Sequence, residues 1–289
     1  MLHTVRAAAI PVPSQTGAVE ENLALIEAAA REAARTGAEL ALFPELSLTG
    51  FLPNHPVGDH AAWLREALAA ARAIAQPIPG PATEALVRIA AGTGLLLAAG
   101  LLENAGPVLH NTQVLAGPDG LLGVWRKLHV PMFEMPFYNG GAGLEVAATP
   151  LGRIGVNICF DALLPESTRL LAVQGVDLVL FPFAADPPPG TAEAWADWAL
   201  PALRARCAEN GVFGLAVNYT GTVRCAGVSQ TFPGGAAALD PHGKVLGAPA
   251  AGMMVAAFER AVLEAARAEP DYLFRFRRPE LYGPLARLG

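Results

Sequence analysis

Two stretches of this chain repeat one pattern, and the repeat narrows the folds open to it. Gly37-Ala38-Glu39-Leu40-Ala41-Leu42-Phe43-Pro44-Glu45 aligns with Gly175-Val176-Asp177-Leu178-Val179-Leu180-Phe181-Pro182-Phe183, and a segment of helical periodicity precedes each. A helix closed by glycine and followed by a short continuous apolar run is how a chain enters a strand buried on both faces. Each copy also leads to a reversal of strand direction, at Pro118-Asp119-Gly120 in the first and at Asp240-Pro241-His242-Gly243 in the second. The pattern predicts an α/β fold of two similar βαβ-plus-hairpin halves. Two sheets packed face to face with helices outside, a four-layer αββα sandwich, would bury both sets of strands.

The remaining segments alternate in the same way. Apolar runs predict strands at 5–10, 95–101, 112–116, 121–126, 153–158, 212–217 and 253–258. Helices are expected over 18–36, 61–75, 82–91, 166–173, 192–209 and from the last strand to about Ala268. The chain of 289 residues is expected to form one domain, with 270–289 as a tail of aromatic and arginine residues used in contacts between subunits. Its 53% hydrophobic residues suit a large core. The longest weakly polar run, near 245–258, carries Gly247, Pro249 and Gly252 and falls short of the ~20 residues of a spanning helix.

A net charge of −6 argues against nucleic-acid binding. Three cysteines, Cys159, Cys207 and Cys225, give neither an even set nor a Cys-x-x-Cys pair, and the six histidines form no i, i+4 pair. No disulfide framework, metal site or cofactor is expected, and a reducing cytoplasm fits. Cys207 falls in a helix and Cys225 in a variable loop, and both are read as structural.

Three residues stand out by position. Glu45 ends a buried apolar strand, where the second copy has Phe183, and ligands of α/β sheets bind beyond such carboxyl ends. Cys159 ends the strand at 153–158 and precedes a helix, a place from which a thiol can be presented and its pKa lowered by the helix N-terminus. Taken alone, it reads first as a small core residue. Lys127 ends the hairpin strand at 121–126, in a chain whose other basic residues are all arginine apart from Lys244.

The motifs around these residues resemble the nitrilase superfamily of carbon–nitrogen hydrolases. They are Phe43-Pro44-Glu45-Leu46 with Leu48-Thr49-Gly50-Phe51, Trp125-Arg126-Lys127-Leu128-His129-Val130-Pro131, and Gly155-Val156-Asn157-Ile158-Cys159-Phe160-Asp161 with Pro165-Glu166. Further landmarks at Arg204–Asn210, Asn218–Gly221, Gly227–Ser229 and Arg278–Tyr282 carry the likeness nearly end to end. The resemblance implies an αββα sandwich with Glu45 as general base, Lys127 as oxyanion stabiliser and Cys159 as nucleophile. The backbone N–H of Phe160 would be the second oxyanion donor. It also implies Glu134, in the loop before the cysteine strand, as a second glutamate that positions substrate. The chain departs from many relatives at Asn139-Gly140-Gly141, where a Pro-Gly step is common, so the loop is expected to differ in shape.

The implied reaction is hydrolysis of a small amide or N-carbamoyl compound through a cysteine thioester. Cys159-Phe160-Asp161, in place of the Cys-Trp-Glu usual in nitrilases, leans away from nitriles. A nitrilase acting on a nitrile, acyl transfer and an inactive binding protein are the other readings. Substrate is expected to meet Phe51, Phe133, Tyr138, Phe183 and Ala184, with an apolar acyl group favoured. A homodimer or higher homo-oligomer is expected.

Overall fold

The computed structural model describes residues 3–55, 58–247 and 252–287. Thirteen strands and six helices are defined among them. The strands are β1 (Val5–Ala9), β2 (Leu40–Leu42), β3 (Leu96–Ala105), β4 (Val108–Gly117), β5 (Gly120–Arg126), β6 (Ala147–Thr149), β7 (Gly152–Val156), β8 (Leu178–Phe183), β9 (Phe213–Asn218), β10 (Thr220–Cys225), β11 (Val228–Pro233), β12 (Ala236–Leu239) and β13 (Met254–Phe258). The helices are α1 (Val19–Arg35), α2 (His60–Ile74), α3 (Pro81–Thr93), α4 (Pro165–Ala172), α5 (Ala192–Asn210) and α6 (Arg260–Ala268).

Two sheets carry the fold. The first runs β13-β1-β2-β3-β4-β5 and the second β12-β9-β8-β7-β6. In each, three parallel strands (β1, β2, β3 and β7, β8, β9) are flanked by antiparallel ones. The sequence repeat is a structural repeat down to single bonds. Gly37 and Gly175 both adopt positive φ, 78° and 80°. Glu39 N–H donates to Arg6 O and Asp177 N–H to Arg153 O, each at 2.8 Å. The return bonds run from Arg6 N to Glu39 and from Arg153 N to Asp177, both at 3.1 Å.

Strand alternation sorts the side chains into layers. Ala8, Ala41, Leu97 and Ala99 pack under Ile26, Ala30 and Ala33 of α1 and Leu86, Ile89 and Ala90 of α3. The opposite residues, Ala7, Leu40, Leu42 and Ala98, meet Ile154, Val156, Leu178 and Leu180 of the second sheet. Phe213 and Phe258 bridge the sheets edge to face at 5.1 Å. Beyond the second sheet lie α4 and α5, held close by glycines. A Cβ on Gly155 would stand 2.8 Å from Leu171, and one on Gly214 would stand 2.7 Å from the Cys207 sulfur. The order is therefore helices, sheet, sheet, helices.

The structure adds two features. β6 extends the second sheet, and β10 with β11 forms a separate hairpin. Cys225 belongs to β10 rather than to a loop. The turn after Asp240 forms as expected, but among the described residues its return segment makes one bridge, Leu239 to Val245. Part of the apolar run near 245–258, including Pro249, lies outside the described residues, as do positions 288 and 289 of the tail. Leu273, Phe276, Leu281 and Leu285 of that tail are exposed. No helix among the described residues is long and apolar enough to cross a membrane.

Candidate active site

The loop after β2 is fastened to β3 before it delivers its carboxylate. Ser47 and Thr49 hydroxyls accept from Gly100 N–H and Leu102 N–H, at 3.2 and 2.9 Å. Leu48 N–H donates to Gly100 O at 2.7 Å. Gly100 permits this closeness, because a Cβ there would lie 2.3 Å from Leu46 N. Leu46 itself adopts φ 54°, so the backbone turns sharply just past Glu45. Such a conformation costs about 1–2 kcal/mol outside glycine, and the surrounding bonds hold it.

Lys127 follows β5, which returns along β4. Its backbone N–H donates to Asn111 O at 2.8 Å, while the Asn111 side chain donates to Glu45 Oε1 at 2.6 Å. The glycines of Asn139-Gly140-Gly141 let the next loop lie on this segment. Gly141 N–H donates to Lys127 O at 2.9 Å, and a Cβ on Gly140 would stand 2.6 Å from Leu128 O. The departure from Pro-Gly thus becomes a close backbone approach.

Three charged side chains meet in the interior. Lys127 Nζ donates to Glu45 Oε1 and to Glu134 Oε2, both at 2.7 Å. Residue exposures of 0% for Glu45, 1% for Lys127, 4% for Glu134 and 7% for Cys159 show a site closed to bulk water. Glu45 Oε2 is buried, with no hydrogen-bond partner among the described residues. Leaving a buried polar atom unpaired costs about 1–3 kcal/mol, so an orphaned carboxylate oxygen here is a mark of function rather than of stability.

Electrostatics follows from that closure. Burial pulls the Lys127 ammonium toward neutrality, but the carboxylates of Glu134 and Glu45 outweigh it and hold its pKa well above the ordinary lysine value. Burial pushes Glu134 up to about 7 against the opposing pull of Lys127, with the Glu45 charge adding to the rise. One cation between two carboxylates leaves an excess of negative charge in the interior, and this adds to the rise at Glu134.

Cys159 adopts φ 49° on the turn between β7 and α4. The expectation of a lowered thiol pKa is reversed. Burial and then the Glu45 charge raise it well above the ordinary cysteine value, with Lys127 and a backbone hydrogen bond from Ala184 opposing. The thiol is closed in rather than presented outward, and α4 does not compensate.

Among the expected substrate contacts, Phe51, Tyr138 and Ala184 share one buried cluster with Trp63, Phe137, Tyr219 and Phe232. Phe183 does not join them. It lies edge to face on Trp195 and Trp198 at 5.9 and 6.1 Å, under α5. Strand parity explains this, since Phe183 shares a face of β8 with Val179 and Phe181. Phe133 is 47% exposed, on the outer side of the loop whose Glu134 points inward. Phe160 follows Cys159 in the same turn, its side chain partly exposed.

Two residues matter more than their place in the motifs suggested. Asp161 accepts from His129 N–H and Nδ1 at 2.8 and 2.9 Å, from Leu128 N–H at 3.2 Å and from Ile158 N–H at 3.3 Å. That hydrogen bond raises the His129 pKa against partial burial. Asn218 accepts from Ala185 N–H at 2.9 Å and donates to Ala185 O and Gly234 O at 2.8 and 2.9 Å. Asn111, which orients Glu45, went unread. Its signal is the polar run His110-Asn111-Thr112-Gln113, all buried, in the middle of a strand that is apolar on either side.

A two-sheet sandwich of repeated halves, closing a lysine and two glutamates into its interior near a strained cysteine turn, is the architecture of the nitrilase superfamily. Within it, the chain belongs to the carbon–nitrogen hydrolase family of enzymes, whose pattern it matches over residues 6–268. It is 29% identical over 281 residues to a citrullinase of Francisella tularensis, covering 92% of this chain and 93% of that one. It is 34% identical over 180 residues to a nitrilase of Pyrococcus abyssi, covering 62% of this chain and 64% of the nitrilase's length. Among solved structures, a variant of the amidase from Nesterenkonia sp. AN1, showing the result of Michael addition of acrylamide at the active site cysteine, superposes with a TM-score of 0.73 at 25% identity, covering 97% of this chain and 99% of that one.

Proposed function

We propose that the protein hydrolyses a carbon–nitrogen bond of a small amide or N-carbamoyl compound through a thioester on Cys159. The observation that carries this is Glu45, whose Oε1 is tied to Lys127 and Asn111 while Oε2, in the interior, has no partner among the described residues. A carboxylate held by one oxygen and free at the other is set to move a proton.

The thiol is protonated at rest, so its proton passes to Glu45 as sulfur attacks the carbonyl carbon. The oxyanion that forms is met by the Lys127 ammonium and the Phe160 N–H. Removing one such donor typically costs about 10²–10³ in kcat. Glu45 then gives the proton to the nitrogen, the C–N bond breaks, and ammonia or an amine leaves. Water attacks the thioester with Glu45 again taking the proton, the acid departs, and the thiol is restored. Glu134 positions substrate and Lys127. Phe51, Tyr138 and Ala184 line the acyl side. We also assign the exposed tail to contacts between copies of the chain, and the enzyme, with its three free cysteines, to the reducing cytoplasm.

The test is ammonia release from a panel of amides, carbamoyl compounds and nitriles, with Cys159→Ala as control. Release that depends on Cys159 supports the thioester route. A preference for nitriles would move the enzyme to the nitrilase branch, and a mutant as active as the wild type would overturn the assignment.

A further inference from the structure

One residue at the surface is tied to the closed site without belonging to it. Among the described residues, every hydrogen bond that joins the Cys159 turn to the segment after Lys127 ends on the Asp161 carboxylate. Leu128 N–H reaches Oδ2 at 3.2 Å. The two shorter bonds, at 2.8 and 2.9 Å, both come from His129 to Oδ1, one from its backbone N–H and one from ring Nδ1. Other ties of the turn, from the Arg206 guanidinium to Ala162 O and Leu163 O, run to α5 in the second half of the chain. Asp161 is buried, whereas the His129 side chain keeps 38% exposure. A buried carboxylate depends on its donors. Those from Leu128, His129 N–H and Ile158 are backbone groups that no side-chain substitution removes, and the His129 ring is the remaining one.

The ring also meets α4, where Ser167 Oγ lies 3.3 Å from Nδ1. The charged groups that face it are Asp161 from the cysteine turn and Glu166 from α4. The bond to Asp161 holds the ring's pKa above the ordinary 6.5, against partial burial and with both charges adding. Solvent protons therefore reach this contact at the imidazole, while Lys127 and Cys159 on either side of it are closed in.

We propose that His129 is a positioning residue for the reaction at Cys159. Its ring fixes Asp161, Asp161 fixes the two backbones it bridges, and the Lys127 ammonium is thereby kept in register with the sulfur across the two sheets. This rests on the hydrolase reading of Cys159. The protonated ring performs the task best, because a charge-assisted hydrogen bond is roughly twice as strong as a neutral one. His129 touches no reacting atom and acts through Asp161 alone.

The test measures kcat and KM from about pH 6 to 8 for the wild type, His129→Leu and His129→Asn, on the panel compound that releases ammonia fastest. The asparagine amide offers a donor near the place of Nδ1 at every pH, and leucine offers none. His129→Leu is expected to lose at least about tenfold in kcat with KM little changed, and His129→Asn to recover most of that loss. The ratio of wild-type to His129→Asn kcat cancels titrations common to both proteins, that of Glu134 included. It should fall by roughly fivefold as rising pH neutralises the wild-type ring. A His129→Leu variant with full kcat, or a His129→Asn variant no better than it, overturns the proposal, and so does a ratio that stays level with pH. Should His129→Leu fail to fold, the ratio decides alone. Each of these results leaves the thioester route standing. A wild type inert on the whole panel overturns both.

Discussion

The carboxylate of Asp161 accepts from the backbone of His129 at 2.8 Å and, through its other oxygen, from Ile158 at 3.3 Å. Lys127 lies two residues before the first contact and Cys159 one residue after the second. One buried side chain therefore sets the spacing of an ammonium and a thiol that belong to opposite sheets. Four donors on one carboxylate make it a fixed post.

Lys127→Met would leave two buried carboxylates without their cation. Breaking a buried ion pair in this way typically costs about 3–5 kcal/mol. The variant is expected to unfold at correspondingly lower urea and to show no amide hydrolysis. Urea denaturation at neutral pH measures the first and ammonia release the second. A variant as stable as the wild type would contradict the geometry at Glu45 and Glu134.

Glu134 supplies a pH signature. Its pKa is raised in the fold from an ordinary 4.5 to about 7, so the folded state holds a proton that the unfolded chain releases earlier. Its contribution to stability is complete below pH 4.5 and falls as pH rises through 7. Glu134→Gln removes this titration. Thermal melts from pH 4 to 8, on the order of that window, should show a flatter profile for the variant than for the wild type.

Glu45→Gln separates acid–base function from thiol ionisation. The Glu45 charge is, after burial, the main influence raising the Cys159 pKa. Neutralising it should move the midpoint of iodoacetamide alkylation to lower pH while hydrolysis is lost. An unchanged or higher midpoint would show that the carboxylate does not face the sulfur.

Asn111→Leu tests the residue that holds the proposed base, Glu45. It removes a 2.6 Å bond to a buried carboxylate, an interaction worth about 1.5–3 kcal/mol. Hydrolysis should fall at least about tenfold through kcat, with KM little changed, because the loss is in placing the base.

The layers were legible because the repeat and the apolar alternation are local signals. Glu45, Lys127 and Cys159 were legible because each stands at the end of a strand inside a recognisable run. What escaped depends on pairing between distant segments. Asn111 reaches Glu45 only once β4 lies beside β3 and carries β5 back to Lys127. The Cys159 pKa reverses direction because closing the sheets brings Glu45 close and excludes water, which no neighbour in sequence reports. Phe183 could have been placed correctly from parity alone, since β8 alternates between core and helix faces.

In the proposed reaction the two halves contribute unequally. The first holds Glu45, Asn111, Lys127 and Glu134, and the second holds Cys159, Asp161, Ala184 and Asn218. A refolding chain could complete both sheets, each with its own helices, and still be inert until they dock. Catalytic activity should therefore return after the far-ultraviolet dichroism signal rather than with it, and would serve as a clock for the docking step.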